Sequence, residues 1–286
     1  MQPAATISAD QQRGRARRAG TLPAHPGGSS TLRSFVAQQP EFTVLILPGD
    51  CFALNEYERL ARSLQTLNVS AHLLDYVAAA AGGGSRRGLT HARCVQAVAE
   101  QVCHLLAPMS PAARARFVML GHSRGAYVAI GVLGRGPFDG IAILDAPYLG
   151  PEHAGKVPLS VVLPVALQIA LGIPPSLSYS TFRRRFFSGD VPEELIVAMH
   201  KRSAPLPSGL LRDRCQLDLS SLERARIIVH AYQEDAAHPA SRLESALRDV
   251  AARNPNLRVE HCAGAHGELL LRPELSAERI VNECRA

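Results

Sequence analysis

Several things are scarce or missing in this 286-residue sequence. Its six cysteines (51, 94, 103, 215, 262 and 284) form no C-x-x-C pair and share no spacing with histidine that suits zinc, which excludes the common structural metal modules. Scattered thiols of this kind fit a reduced intracellular compartment. No apolar run reaches the ~20 residues that a membrane-crossing helix needs. The most apolar stretch, from Val157 to Ile173, is interrupted by Pro158, Ser160, Pro164, Gln168 and Gly172. The glycine-rich segment at 81–88 has neither the G-x-x-x-x-G-K-[ST] spacing nor the lysine of a phosphate loop, so it reads as a surface loop. No internal repeat is visible.

Acid is scarce at the front of the chain. Residues 1–40 hold Arg13, Arg15, Arg17, Arg18 and Arg33 against Asp10 alone, which is +4 of the net +6. The basic balance therefore belongs mostly to this arm, and no nucleic-acid partner is expected for the body. The arm lacks the apolar core of a secretory signal and is expected to be disordered at least in part. A cytoplasmic protein is expected, with an organellar transit segment as the alternative.

What is present is a globular chain, 47% hydrophobic and 20% charged, long enough for a sizeable core. From Phe42 it reads F-T-V-L-I-L and stops at Pro48-Gly49-Asp50, the pattern of a strand buried on both faces. Similar runs lie at 69–74, 117–120, 141–144, 227–231 and 257–261. Helical patterns fall between them, such as Val95, Val98, Val102 and Leu105 before Pro108. Strand and helix alternate, which predicts an α/β fold with a mostly parallel central sheet flanked by helices. The alternation pauses after Asp145 for a Pro-bearing, helix-compatible insert at about 150–223. The expected organisation is an arm over 1–40 and one domain over 41–286.

Directly after the run 117–120 comes Gly121-His122-Ser123-Arg124-Gly125, followed by a helix-capable segment. A G-x-S-x-G pattern between strand and helix makes a tight turn that lifts the serine into the open beside free helix N–H groups. A serine hydroxyl needs a base within hydrogen-bond reach. His266, in the small-residue loop after the last strand, is the favoured one of eleven histidines. The imidazole needs an orienting carboxylate in turn. Asp235 and Asp145 both end strands and both qualify, with Asp235 favoured.

The order of Ser123 elbow, strand-end acid and final-loop His266 resembles the α/β-hydrolase superfamily over residues 42–286. The superfamily's usual acid setting corresponds to Asp235 with Pro239. Leu144-Asp145-Ala146-Pro147 looks instead like the thioesterase domains of polyketide and peptide synthesis. The resemblance implies an oxyanion hole from the amides of Arg124 and Asp50, in a Pro-Gly-Asp loop where relatives often carry His-Gly. Gly49, Cys51, Phe52 and His122 are expected at the substrate mouth, His122 packing or hydrogen-bonding within the elbow. The insert takes the position of a lid. Phe182-Arg183-Arg184-Arg185-Phe186-Phe187 within it could attract an anionic acyl carrier or an acidic lipid surface. The implied activity is cleavage of a small-molecule carboxylic ester or thioester through an acyl-enzyme, with no metal or organic cofactor. The alternative is a catalytically silent protein of the same fold that binds a small ligand or a partner.

Overall fold

The computed structural model describes residues 31–84, 88–136, 138–213 and 217–286. Seven strands form one sheet: β1 (Leu32–Phe35), β2 (Thr43–Leu47), β3 (Ser70–Leu74), β4 (Phe117–His122), β5 (Ile141–Asp145), β6 (Arg226–Tyr232) and β7 (Leu257–Cys262). Their order is β1-β3-β2-β4-β5-β6-β7. Every pairing is parallel except β1 with β3. Strands β2 to β6 are almost wholly buried, as their mostly apolar runs require of a sheet covered on both faces, and β3 buries Ser70 and His72 with them.

The domain begins earlier than the sequence indicates. Leu32–Phe35 falls within the expected arm, but it hydrogen-bonds along β3, with Leu32 opposite Leu74 and Phe35 opposite Ala71. Only its two end residues are part-buried, as befits a short edge strand, so it carries no continuous apolar run to announce itself. Of the expected arm, residues 1–30 lie outside the described residues.

Helices α1 (Leu54–Thr66), α2 (Tyr76–Ala81), α3 (His91–Leu106) and α4 (Pro111–Arg114) connect the first strands, and α5 (Arg124–Leu133) follows β4. Between β5 and β6 lie α6 (Leu159–Ala170), α7 (Tyr179–Phe186), α8 (Glu193–Lys201), α9 (Ser208–Arg212) and a 3-10 turn at Leu219–Arg224. Helices α10 (Ala240–Arg253), α11 (Glu268–Leu271) and α12 (Pro273–Arg285) complete the chain. One apolar layer joins the sheet to α3, α5 and α10 through Val98, Val128 and Leu247. The other joins it to α1 and α12 through Leu60, Leu64 and Ile280, and it extends to Phe182 and Phe186 of the insert. The two layers hold the strands rigid and leave their carboxyl ends to carry loops.

Candidate active site

The turn after β4 is sharp and strained. Ser123 has φ 54° and ψ −118°, a conformation that a non-glycine residue adopts only when its surroundings enforce it. The backbone here is clamped: Ser123 N–H donates to Asp145 O at 2.9 Å, and Tyr148 N–H donates to Ser123 O at 3.1 Å. The flanking glycines are needed because there is no room for more. A Cβ on Gly121 would stand 2.6 Å from Ala126 Cα, and one on Gly125 would stand 2.1 Å from Leu47 O. Arg124 opens α5, so its N–H has no acceptor within the helix and faces the serine end.

His266 follows β7 in a loop and is fully buried. Its Nδ1 lies 2.8 Å from Asp235 Oδ2, in the loop after β6. An ionised carboxylate only accepts, so Nδ1 carries the proton and Nε2 holds the lone pair. That Nε2 is buried and has no hydrogen-bond partner. The other carboxylate oxygen of Asp235 accepts from the N–H groups of Ala237 at 2.7 Å and His238 at 2.8 Å. Burial alone would raise the Asp235 pKa. Electrostatic attraction and the hydrogen bond from the His266 ring, helped by His238, outweigh burial and bring it to about 2, so the acid stays ionised. The rings of His122 and His238 each stand 5.0 Å from His266, with Phe186 at 5.1 Å.

Asp145 is engaged elsewhere. Its Oδ1 accepts from His230 Nδ1 at 2.7 Å and from Tyr232 Oη at 2.9 Å, and His230 Nε2 reaches Glu283 at 2.8 Å. The register explains this, since β5 and β6 set Asp145 directly opposite His230.

The loop after β2 abuts the serine. A Cβ on Gly49 would lie 2.8 Å from Ser123 Cβ. Gly49 N–H donates to Tyr57 Oη at 2.7 Å, and Tyr57 Oη lies 2.7 Å from His122 Nδ1. Tyr57 must then donate to Nδ1, which leaves the His122 proton on Nε2, where it donates to His266 O at 3.0 Å. Burial, and the His266 ring beside it, lower the His122 pKa to about 4, consistent with this neutral form. One line of hydrogen bonds thus ties the Gly49 loop to the His266 loop.

The Asp50 carboxylate is paired with the Arg124 guanidinium. Arg124 also donates from Nη1 to His91 Nε2 at 3.0 Å and lies 4.7 Å over the Tyr148 ring, while His91 Nδ1 meets Asp213 at 3.0 Å. A cavity of about 360 Å³ opens beside Gly49, Asp50, Cys51 and Phe52, and Tyr76 and Pro205 close it. Its lining includes neither Ser123 nor His266, which are both buried. Among the described residues no group of three or more His, Cys, Asp or Glu is arranged to hold a metal ion.

A family model described as the alpha/beta hydrolase family matches residues 44–279. The chain belongs to that family. Among solved structures, the alpha/beta hydrolase chain is similar to an esterase from Exiguobacterium antarcticum, with 17% identity, TM-score 0.66, and 89% of this chain and 95% of that one covered. It is similar to an extracellular alpha/beta-hydrolase from a Paenibacillus species, with 19% identity, TM-score 0.66 and coverage of 86% and 100%. A bromoperoxidase from Bacillus anthracis aligns at 15% identity, TM-score 0.65 and coverage of 89% and 95%. At these identities the likeness is one of fold. The search of curated proteins gives no match.

Within the hydrolase fold some expected positions need correction. His122 is not at a substrate mouth: it is fully buried, and both ring nitrogens are committed to protein groups. In the segment Phe182–Phe187, Arg183 pairs with Glu193 at 2.9 Å and Arg184 is exposed, beside the buried rings of Phe182, Phe186 and Phe187. Tyr57, His91, His238 and Asp213 escaped the sequence reading. Tyr57 lies mid-helix on an apolar face, and His91 meets a carboxylate 122 residues away, so neither has a local signature. His238 had one, since it stands three residues after Asp235.

Proposed function

We propose that the protein is a serine hydrolase that cleaves carboxylic esters or thioesters by acyl transfer. The observation that carries this reading is the state of His266: one nitrogen is held by an ionised Asp235 and the other is buried with an open lone pair. Ser123 Oγ attacks the acyl carbon while its proton passes to His266 Nε2. The developing oxyanion is held by the amides of Arg124 and Asp50. The pairing of Asp50 with Arg124 supports that role, because it neutralises a carboxylate that would otherwise oppose the oxyanion. Collapse of the adduct breaks the C–O or C–S bond, and the leaving alcohol or thiol takes the proton from His266. Water then enters by the same route, releasing the acid and restoring Ser123.

The insert at 150–223 serves as the lid in this reading. Gly267 N–H donates to Phe186 O at 2.7 Å, and the Phe182, Phe186 and Phe52 rings cluster within 5.7 Å of one another. That aromatic wall beside His266 suits an apolar acyl group. A fluorophosphonate probe is expected to label Ser123 in the wild type and to leave Ser123→Ala unlabelled. Equal labelling of both proteins would falsify the assignment. No labelling, with no turnover across a library of short and medium acyl esters and thioesters, would make the chain a silent binder.

A further inference from the structure

Helix α6 breaks the rule that the insert otherwise follows. Of its twelve residues only Val161 is buried. Leu159, Leu163 and Leu167 are 78%, 70% and 59% exposed, and Leu171, one residue past the helix end, is 66% exposed. Their spacing of four sets all four on one stripe, and at ~1.5 Å per residue the stripe runs about 18 Å. Val157, Val162 and Ile173 add exposed apolar surface around it. A contiguous apolar patch of this kind marks an interaction site.

We propose that α6 is a lipid-docking element, lying flat in an anionic membrane surface with its leucine stripe among the acyl chains. Charge argues for this occupant. Residues 153–189 contain no Asp or Glu, while Lys156 and Arg184 are exposed cations. Lys156 is exposed just ahead of the helix. At its other end Arg212 reaches Ile169 O at 3.4 Å, so a cation flanks each end of the stripe at the level of lipid phosphates. Geometry argues the same way. The helix is far shorter than the ~20 residues needed to span a bilayer, so it docks in the plane. Its exposed stripe is of leucines, without the Trp, Tyr or Arg anchors that dominate protein interfaces. Docking does not depend on turnover at Ser123.

The chain contains no tryptophan, so Leu163→Trp in the full-length protein carries a single tryptophan reporter on the stripe. Adding vesicles of phosphatidylcholine and phosphatidylglycerol is expected to shift its emission to the blue, and brominated lipids are expected to quench it. Attraction of the N-terminal arginines to the vesicles would not produce that local change. Neutralising Lys156 or Arg212 is expected to weaken partitioning about fivefold for each cation removed. Leu163→Glu with Leu167→Glu, checked for folding by circular dichroism, is expected to abolish partitioning of the stripe. The proposal is overturned if Leu163→Trp gives no shift on vesicles. It is equally overturned if the emission is already blue in dilute protein alone, which means the chain covers the stripe itself, or if it turns blue on concentrating the protein, which means a second copy does.

Discussion

Two imidazole–carboxylate pairs lie close together in this fold, one on the adjacent strands β5 and β6 and one in the loops after β6 and β7, and they differ at one atom. His266 holds Asp235 through Nδ1 at 2.8 Å, and His230 holds Asp145 through Nδ1 at 2.7 Å. Both imidazoles are buried. The far nitrogen of His230 is taken by Glu283 at 2.8 Å, whereas that of His266 is open. Burial pulls the His230 pKa down, but its two carboxylate partners outweigh burial and raise it above the ordinary histidine value. His230 therefore bridges two acids, with a carboxylate on each ring nitrogen. A carboxylate on an imidazole does not by itself make a base; an unoccupied second nitrogen does.

The sharpest way to break the comparison is to exchange each acid for its amide. Asp235→Asn is expected to lower kcat on a p-nitrophenyl ester about 10⁴-fold by spoiling the His266 tautomer. Asp145→Asn is expected to change kcat less than tenfold while lowering the denaturant midpoint. Equal kinetic losses would mean that the two pairs are not distinct.

The next largest effect is on stability. His230→Leu removes the imidazole partner of buried Asp145, leaving it the Tyr232 hydroxyl and Arg279, and leaves Glu283 without its imidazole; it is expected to cost about 3–5 kcal/mol in urea unfolding, with ester turnover retained in the folded fraction. A loss under 1 kcal/mol would show that the bridge carries little.

The two kinds of histidine also predict opposite slopes with pH. His122 has a folded pKa of about 4, below its unfolded value of about 6.5, so its contribution is complete above 6.5 and is lost as pH falls toward 4. This is on the order of 3 kcal/mol, and His238, whose pKa burial drives well below the ordinary value, acts in the same direction. His230 is raised, so its contribution is complete below about 6.5 and is lost as pH climbs through its folded pKa. Urea unfolding across pH 4–9 measures both limbs. His230→Leu should flatten the alkaline limb alone.

The smallest expected change concerns the line from Gly49 to His266. Tyr57→Phe removes the acceptor of Gly49 N–H and the donor to His122, and is expected to cost about 1–3 kcal/mol of stability. In the proposed reaction it lowers kcat more than it raises KM, because the loop it fixes carries the oxyanion amide. An unchanged melting temperature would exclude this bracing role.

Legibility followed the range of the interactions involved. Strands β2 to β6 are visible as continuous apolar runs because both their faces are buried, and the elbow is visible because Gly121, Ser123 and Gly125 must be adjacent to make the turn. Leu32–Phe35 was missed because an edge strand borrows its order from β3. The exposed face of α6 was equally hidden, since an apolar string reads the same whether or not anything covers it.

The amino-acid order alone determined the layered α/β architecture, the bend at Ser123 and a short roster of acids and histidines, since each depends on a few successive residues and their steric preferences. It favoured Asp235 and kept Asp145 as the alternative, since each follows an apolar run that reads as a strand. Only the tertiary structure separated them. The parallel register of β5 and β6 sets Asp145 against His230, and Glu283 closes that bridge from the last helix. The loop after β6 turns Asp235 toward His266. Which carboxylate meets which imidazole is decided by strand alignment and helix packing across 31 and 85 residues of chain, a distance over which local preferences carry no information.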